Sequence, residues 1–147
     1  MRKLLVSLVV LAFAIAGAPT FADDGGRPFT TTLTGANEVP GPGDPDASGT
    51  ASLTLNVGQE EVCFDLAWAA IDGTVVAAHI HAAQAGVAGP VVVPLFSGGF
   101  AGTDSASACV SADRSLLLAI VQNPQNYYVN VHSTVFPAGA VRGQLSK

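Results

Sequence analysis

Basic side chains are scarce in this chain of 147 residues, which carries six Lys and Arg against eleven Asp and Glu. Two of the six basic residues stand together at the N terminus, directly after Met1. The other four are far apart in the sequence: Arg27, Arg114, Arg142 and Lys147. Isolated cations cannot form the positive stripe that follows a phosphate backbone, so the composition excludes nucleic-acid binding.

Long apolar runs are also missing, with one exception near the N terminus. The mainly apolar segment Leu4 to Gly17 follows two basic residues, and its length of about 14 residues falls short of the roughly 20 that span a bilayer. Its size and flanks match a secretion signal with cleavage after Ala22, while cleavage after Ala18 and an uncleaved anchor are the alternatives. We therefore predict a signal peptide over residues 1–22. Residues 23–147 are expected to form a single domain, secreted or periplasmic and not inserted in a membrane.

Cysteine is limited to Cys63 and Cys109. Neither belongs to a Cys-x-x-Cys motif or adjoins a histidine, so a thiol catalyst is not favoured. In an oxidising compartment two cysteines are expected to form a disulfide with each other, and two free thiols are the alternative.

The local motifs of common enzymes are absent as well. No serine lies in a nucleophile elbow, which argues against a hydrolase. No glycine-rich turn is followed by a lysine and a helix, so a phosphate-binding loop is not supported.

What the chain does contain is a series of short alternating segments separated by Gly, Pro, Asn and Asp, which is typical of antiparallel strands. In the clearest of them, Leu53, Leu55 and Val57 alternate with polar residues. The predicted strands cover residues 29–34, 51–57, 62–68, 75–81, 91–93, 127–132 and 141–145.

One short helix is expected between the fifth and sixth of these strands. Ser111 or Asp113 could cap a helix that runs through Leu116–Val121 and ends near Asn123. The predicted fold class is therefore all-β, an antiparallel β-sandwich or barrel of Greek-key type with one short helix.

The histidines of the chain are His79, His81 and His132. Residues two apart in a strand share a face, so His79 and His81 point the same way, opposite Ala78 and Ile80.

The same alternation separates the two faces of the strand that carries His132. Asn130 and His132 share one face, and Tyr127, Val129 and Val131 share the apolar one. If the two histidine-bearing strands are neighbours, the three imidazoles converge on one exposed patch of the sheet.

Three neutral imidazoles suit copper or zinc and leave a coordination position open. Copper is favoured over zinc because an exported protein is separated from the cytoplasmic thiols that compete for copper. The residues that could support the ligands from behind are Glu38, Asn130 and Arg142, and Asp72 and Asp104 are further carboxylates available for this role. Alternatively, the histidines solvate a sheet face, with His132 bonded to a loop carbonyl.

Several segments, taken in order, resemble the CHRD domain, a family named for its repeats in the animal protein chordin and common as stand-alone secreted bacterial proteins. They are Leu33–Pro40, Ala77–His81 with Gly89–Leu95, Tyr128–His132 and Phe136–Leu145. The resemblance covers residues 29–146 and implies a β fold and export more readily than it implies a reaction. The chain departs from the family pattern at Gly41 and Ala140, neither of which is next to a histidine.

The segment His79–His81 is also similar to the copper-binding strand of Cu/Zn superoxide dismutases, which is an analogy at the level of fold. The full set of dismutase ligands cannot be assembled from three histidines. Arg142 could steer an anion towards a metal, as the dismutase arginine does. Alternatively, it could be a structural residue that pairs with a carboxylate such as Glu38.

Three functions stay open. The first is an extracytoplasmic CHRD binding module with a mononuclear copper site at His79, His81 and His132. The second is a copper-dependent oxidoreductase of the superoxide dismutase type. The third is a metal-free structural or protein-interaction domain. We expect a binding protein rather than an enzyme and assign no catalytic residue.

Overall fold

The computed structural model describes residues 25–98 and 103–147, and the predicted signal peptide over residues 1–22 lies outside them. The described residues form eight strands, one α-helix and two short 3-10 helices, Gly35–Asn37 and Pro124–Asn126. The strands are β1 (Arg27–Thr34), β2 (Ser48–Asn56), β3 (Glu61–Ala69), β4 (Val75–Ala82), β5 (Val91–Ser97), β6 (Ser105–Ser111), β7 (Tyr127–Ser133) and β8 (Val141–Gln144). The helix α1 is Arg114–Gln122.

All strand pairs are antiparallel and belong to one sheet with the order β5-β4-β7-β8-β1-β2-β3-β6. The two outermost strands, β5 and β6, contact each other, so the sheet curls into a nearly closed barrel. Strand β7 returns to lie beside β4, which is a Greek-key connection. The predicted all-β class with one short helix is confirmed.

The barrel interior is filled by the apolar side of each alternating strand. Leu53 and Leu55 of β2 lie opposite Phe64 and Val62 of β3, and all four side chains are buried. Helix α1 adds Leu117 and Ile120 to the core: both are fully buried. Each fully buried side chain of this size contributes about 1.5–3 kcal/mol, so the alternation of apolar residues fixes which face of each strand is internal.

Strand β5 differs from its prediction as a short buried segment over residues 91–93. It extends to Ser97 and passes through Pro94, and Val91 at its start is 45% exposed. Proline is tolerated here because β5 is an edge strand of the sheet, where the backbone N–H groups on one side have no neighbouring strand to bond.

Strand β6 was not predicted, because its alternating alanine and serine residues give weak hydrophobic contrast along it. It pairs with β3 in a register that places Cys63 directly opposite Cys109. The two cysteines form the disulfide expected from the sequence and attach this terminal strand to the sheet.

Helix α1 begins at a side-chain cap. The Asp113 carboxylate accepts hydrogen bonds from the backbone N–H groups of Ser115 and Leu116, so Asp113 is the cap and the alternative, Ser111, was wrong because it lies in β6. Asn123 ends the helix as predicted, and Pro124 follows it. None of the helices in the described ranges has the length and apolarity needed to cross a bilayer.

Candidate metal centre

Strand β7 is buried on both faces. Val129 and Val131 point into the barrel core, whereas the alternate residues point to the opposite side of the sheet. The strand register places polar side chains of β4 and β8 beside those of β7, since His79 is opposite Asn130 and Asn130 is opposite Arg142. The side chains on this outer face, which we name the polar layer, are His79, His81, Tyr128, Asn130, His132, Arg142 and Gln144.

The polar layer is covered, which corrects the prediction of an exposed histidine patch. His81 is 8% exposed and His132 is 9% exposed, while His79 is only partly buried. The loop between β4 and β5 and the loop between β7 and β8 each bring a backbone carbonyl onto the layer, from Gly89 and Pro137 respectively. Loops have no periodicity of their own, so this cover could not be read from the strand pattern.

The three histidines converge, as the sequence predicted for neighbouring strands. His79 Nδ1 lies 3.0 Å from His132 Nε2, and each residue offers a ring nitrogen within 4.8 Å of those of the other two. Ligands of one ion at bond lengths of about 2.0–2.1 Å can be at most about 4 Å apart. At up to 4.8 Å the separations slightly exceed this limit, so the residues could hold a metal once the rings turn towards one another. We name this group the histidine cluster.

Backbone carbonyls define the tautomers of two of these rings. A carbonyl can only accept, so His81 Nδ1 donates to Gly89 O over 2.8 Å and His132 Nδ1 donates to Pro137 O over 3.1 Å. In the neutral rings both Nε2 atoms then carry a lone pair. The Nε2 of His132 accepts a hydrogen bond from His79 Nδ1, whereas the Nε2 of His81 is buried with no hydrogen-bond partner. Donation of the second ring N–H to a carbonyl is the usual arrangement behind a metal-bound histidine.

Burial lowers the pKa of all three histidines. The pKa of His79 falls to about 4, because of burial first and then the neighbouring His132 and His81. Burial also lowers the pKa values of His81 and His132, against the opposing effect of the Gly89 and Pro137 carbonyls. Near neutral pH the cluster is therefore a set of uncharged nitrogen donors, as copper or zinc requires.

The family model described as the CHRD domain matches residues 29–145, which include the whole histidine cluster. The chain belongs to the CHRD family. The resemblance seen in the sequence is thereby confirmed. A search of curated proteins found no match to the chain, and neither did a search of solved structures.

In this CHRD domain, Arg142 holds the loop between β4 and β5 over the polar layer. The Arg142 residue is 1% exposed, and its guanidinium donates to Val87 O over 2.9 Å and to Gln84 O over 3.0 Å. The guanidinium carbon also lies 3.3 Å from the centroid of the Tyr128 ring, which stacks on His81 at 4.8 Å. Because the side chain is buried and bonded to backbone carbonyls, it holds the loop between β4 and β5 against the polar layer.

Glu38 comes from the segment between β1 and β2 and is only 7% exposed. Burial raises the pKa of its carboxyl to about 7, although attraction from Arg142 and hydrogen bonding from the Val39 backbone and Asn130 act in the other direction. The Asn130 side chain also lies beside His81 and acts on its pKa. Asn130 thus lies between the carboxyl of Glu38 and the histidine cluster.

The other two aspartates considered from the sequence bond through their backbone groups to residues outside the polar layer. The Asp72 backbone N–H donates to Asp44 and its carbonyl accepts from Ser133, while the Asp104 carbonyl accepts from the Trp68 backbone. Tyr128 and Gln144 were missed as members of the polar layer. Their alternation with Val129 and Gly143 was visible in the sequence, but neither residue type is a preferred metal ligand.

Proposed function

We propose that this CHRD domain is an extracytoplasmic binding module that holds one metal ion, preferentially copper, in the histidine cluster. The observation that carries the proposal is the buried Nε2 lone pair of His81, which has no partner although the other ring nitrogen donates to Gly89 O. A buried acceptor without a donor costs about 1–3 kcal/mol. A metal ion bonded at about 2 Å would satisfy this atom together with the nitrogens of His79 and His132.

Copper is favoured over zinc by the order of affinities of nitrogen ligands for divalent metals. Export is supported by the predicted signal peptide and by the Cys63–Cys109 disulfide, since disulfides persist in oxidising compartments. A binding or storage role requires only a stable metal complex, whereas an enzyme would also need residues that act on a substrate at the metal.

The test is a titration of the metal-free protein with Cu(II) and with Zn(II), followed by calorimetry and by electron paramagnetic resonance of the copper form. We expect one ion per chain, tighter binding of copper, and nitrogen hyperfine coupling in the spectrum. The His79→Ala, His132→Ala double variant should lose at least about a hundredfold in affinity, as removal of two of three ligands implies. The matched control is Asp65→Asn on the exposed face of β3. Weak and equal uptake by the wild type and the double variant would contradict the proposal and leave a metal-free interaction domain.

A copper-dependent oxidoreductase of the superoxide dismutase type is the second candidate, favoured by one observation. His79 is only partly buried, so a small oxidant could reach a metal from its side. Superoxide consumption by the copper-loaded protein, compared with the same amount of free copper under a chelator, separates an enzyme from a binder. Turnover no faster than in the loaded double variant would eliminate the enzyme.

A further inference from the structure

Unpaired buried acceptors concentrate beside the histidine cluster. Among the described residues, the buried side-chain atoms without a hydrogen-bond partner are Glu38 Oε1, Asp44 Oδ1, His81 Nε2 and Asn130 Oδ1. Three of the four belong to neighbouring residues, since the Asn130 side chain lies beside both Glu38 and His81 and acts on the pKa of each. All three residues are more than nine-tenths buried. Each atom is an acceptor, so a positive charge is the species that would satisfy the group as a whole.

The fold provides a fitted place for the Glu38 side chain. A Cβ added at Gly43 would lie 2.7 Å from Glu38 Cγ, and a Cβ added at Gly139 would overlap the carboxyl group itself. Two loops therefore omit a side chain where Glu38 packs. A carboxylate enclosed in this way is costly to bury unless a cation stabilises it.

Arg142 attracts this carboxylate electrostatically, but the guanidinium also makes hydrogen bonds to other groups. The guanidinium donates to the carbonyls of Gln84 and Val87 and to the Gln144 side chain. Despite this attraction, burial dominates the pKa of Glu38 and raises it. The negative charge of Glu38 is thus incompletely compensated in the metal-free protein.

We propose that Glu38 is the counter-charge of the metal ion in the histidine cluster, acting across Asn130 as a positioning residue. The proposal rests on the proposed metal binding. Three neutral imidazoles bring no charge to the ion, and Glu38 is a carboxylate that adjoins the polar layer at Asn130 and Arg142. In a poorly polarisable interior a carboxylate attracts a divalent ion more strongly than a monovalent one. Glu38 therefore favours Cu(II) over Cu(I) and holds the site in its oxidised form.

The experiment compares Glu38→Gln with a matched control, Glu61→Gln, on β3 and outside the polar layer. Dissociation constants for Cu(II) and Cu(I) are measured by competition with chelators specific for each oxidation state. We expect Glu38→Gln to weaken Cu(II) binding about tenfold more than Cu(I) binding, as loss of one nearby charge implies. A tenfold change in the ratio of affinities raises the reduction potential by about 59 mV for one electron. The control should leave both constants unchanged.

Asn130→Asp is the complementary variant, because it adds a negative charge between Glu38 and the histidine cluster. We expect the ratio of Cu(II) to Cu(I) affinity to change in the opposite direction from that in Glu38→Gln. Equal losses for both oxidation states in Glu38→Gln would show a packing role only and overturn the proposal, as would unchanged constants. Both of those results leave metal binding by the wild type intact, whereas failure of the wild type to bind any copper would refute the proposed function itself.

Discussion

Replacing Glu38 with glutamine removes a buried carboxylate whose cost can be worked from the structure. Burial raises the pKa of Glu38 from its usual value near 4.5 to about 7. Between these two pH values the folded protein binds a proton that the unfolded chain has released. The stability linked to that proton is present below about pH 4.5 and is lost as the pH rises through 7.

At about 1.4 kcal/mol for each unit of pKa, ionised Glu38 destabilises the metal-free protein by about 3 kcal/mol at pH 8. Glutamine has a similar shape and no charge to desolvate. We therefore expect metal-free Glu38→Gln to be about 3 kcal/mol more stable than the wild type at pH 8 and to differ by less than about 1 kcal/mol at pH 5. For a domain of this size the gain at pH 8 corresponds to a rise in Tm of about 10 °C.

The measurement is urea denaturation of both metal-free proteins at pH 5 and pH 8, followed by circular dichroism. The histidines titrate in both proteins, so their effect cancels in the comparison. A difference in the free energy of unfolding that does not change with pH would refute the reasoning, as would a wild type that is the more stable protein at pH 8. A gain in stability combined with a loss of Cu(II) affinity is the result expected of a residue kept for binding.

Three further predictions concern the loops, the histidines and the disulfide. Gly139→Ala should cost at least about 2 kcal/mol of stability, because the φ of Gly139 is 142° and the added Cβ would overlap the Glu38 carboxyl. The control Gly41→Ala has a φ of 81° but open space around the Cβ, so its free energy of unfolding, measured by chemical denaturation, should fall by less. In metal-free Glu38→Gln, the free energy of unfolding should fall by more than about 1 kcal/mol as the pH is lowered from 7 to 4. Burial lowers the pKa values of the histidine cluster, so the unfolded chain takes up those protons before the folded protein does. A free energy of unfolding that stays constant with pH in urea titrations would contradict this. Reduction of the Cys63–Cys109 disulfide, which joins residues 46 apart in the sequence, should cost about 4 kcal/mol of stability in the chain-entropy treatment. Calorimetry should still find one metal ion bound per chain. Loss of the metal on reduction would show that the disulfide and the histidine cluster are not independent.

The elements predicted from the sequence are those whose own period carries the signal. Leu53 and Leu55 alternate with polar residues and form an internal face in β2. Strand β6 was missed because alternating alanine and serine provide little contrast. The end of β5 was misplaced at Pro94 because a proline is compatible with a strand only at the edge of a sheet, and the strand order was not known.

The sequence by itself determined the CHRD family, the all-β class and the shared face of His79 and His81, since these depend on local spacing and on motifs in the chain. With only two cysteines, it also limited an intrachain disulfide to the Cys63–Cys109 pair, which the structure contains. Tertiary structure alone decided that β4 lies beside β7 and that loops cover the outer face. It also brought Glu38, distant in sequence, against Asn130. The physical reason is that side-chain period specifies a face relative to its own strand, whereas the burial of that face depends on loops whose paths follow no period.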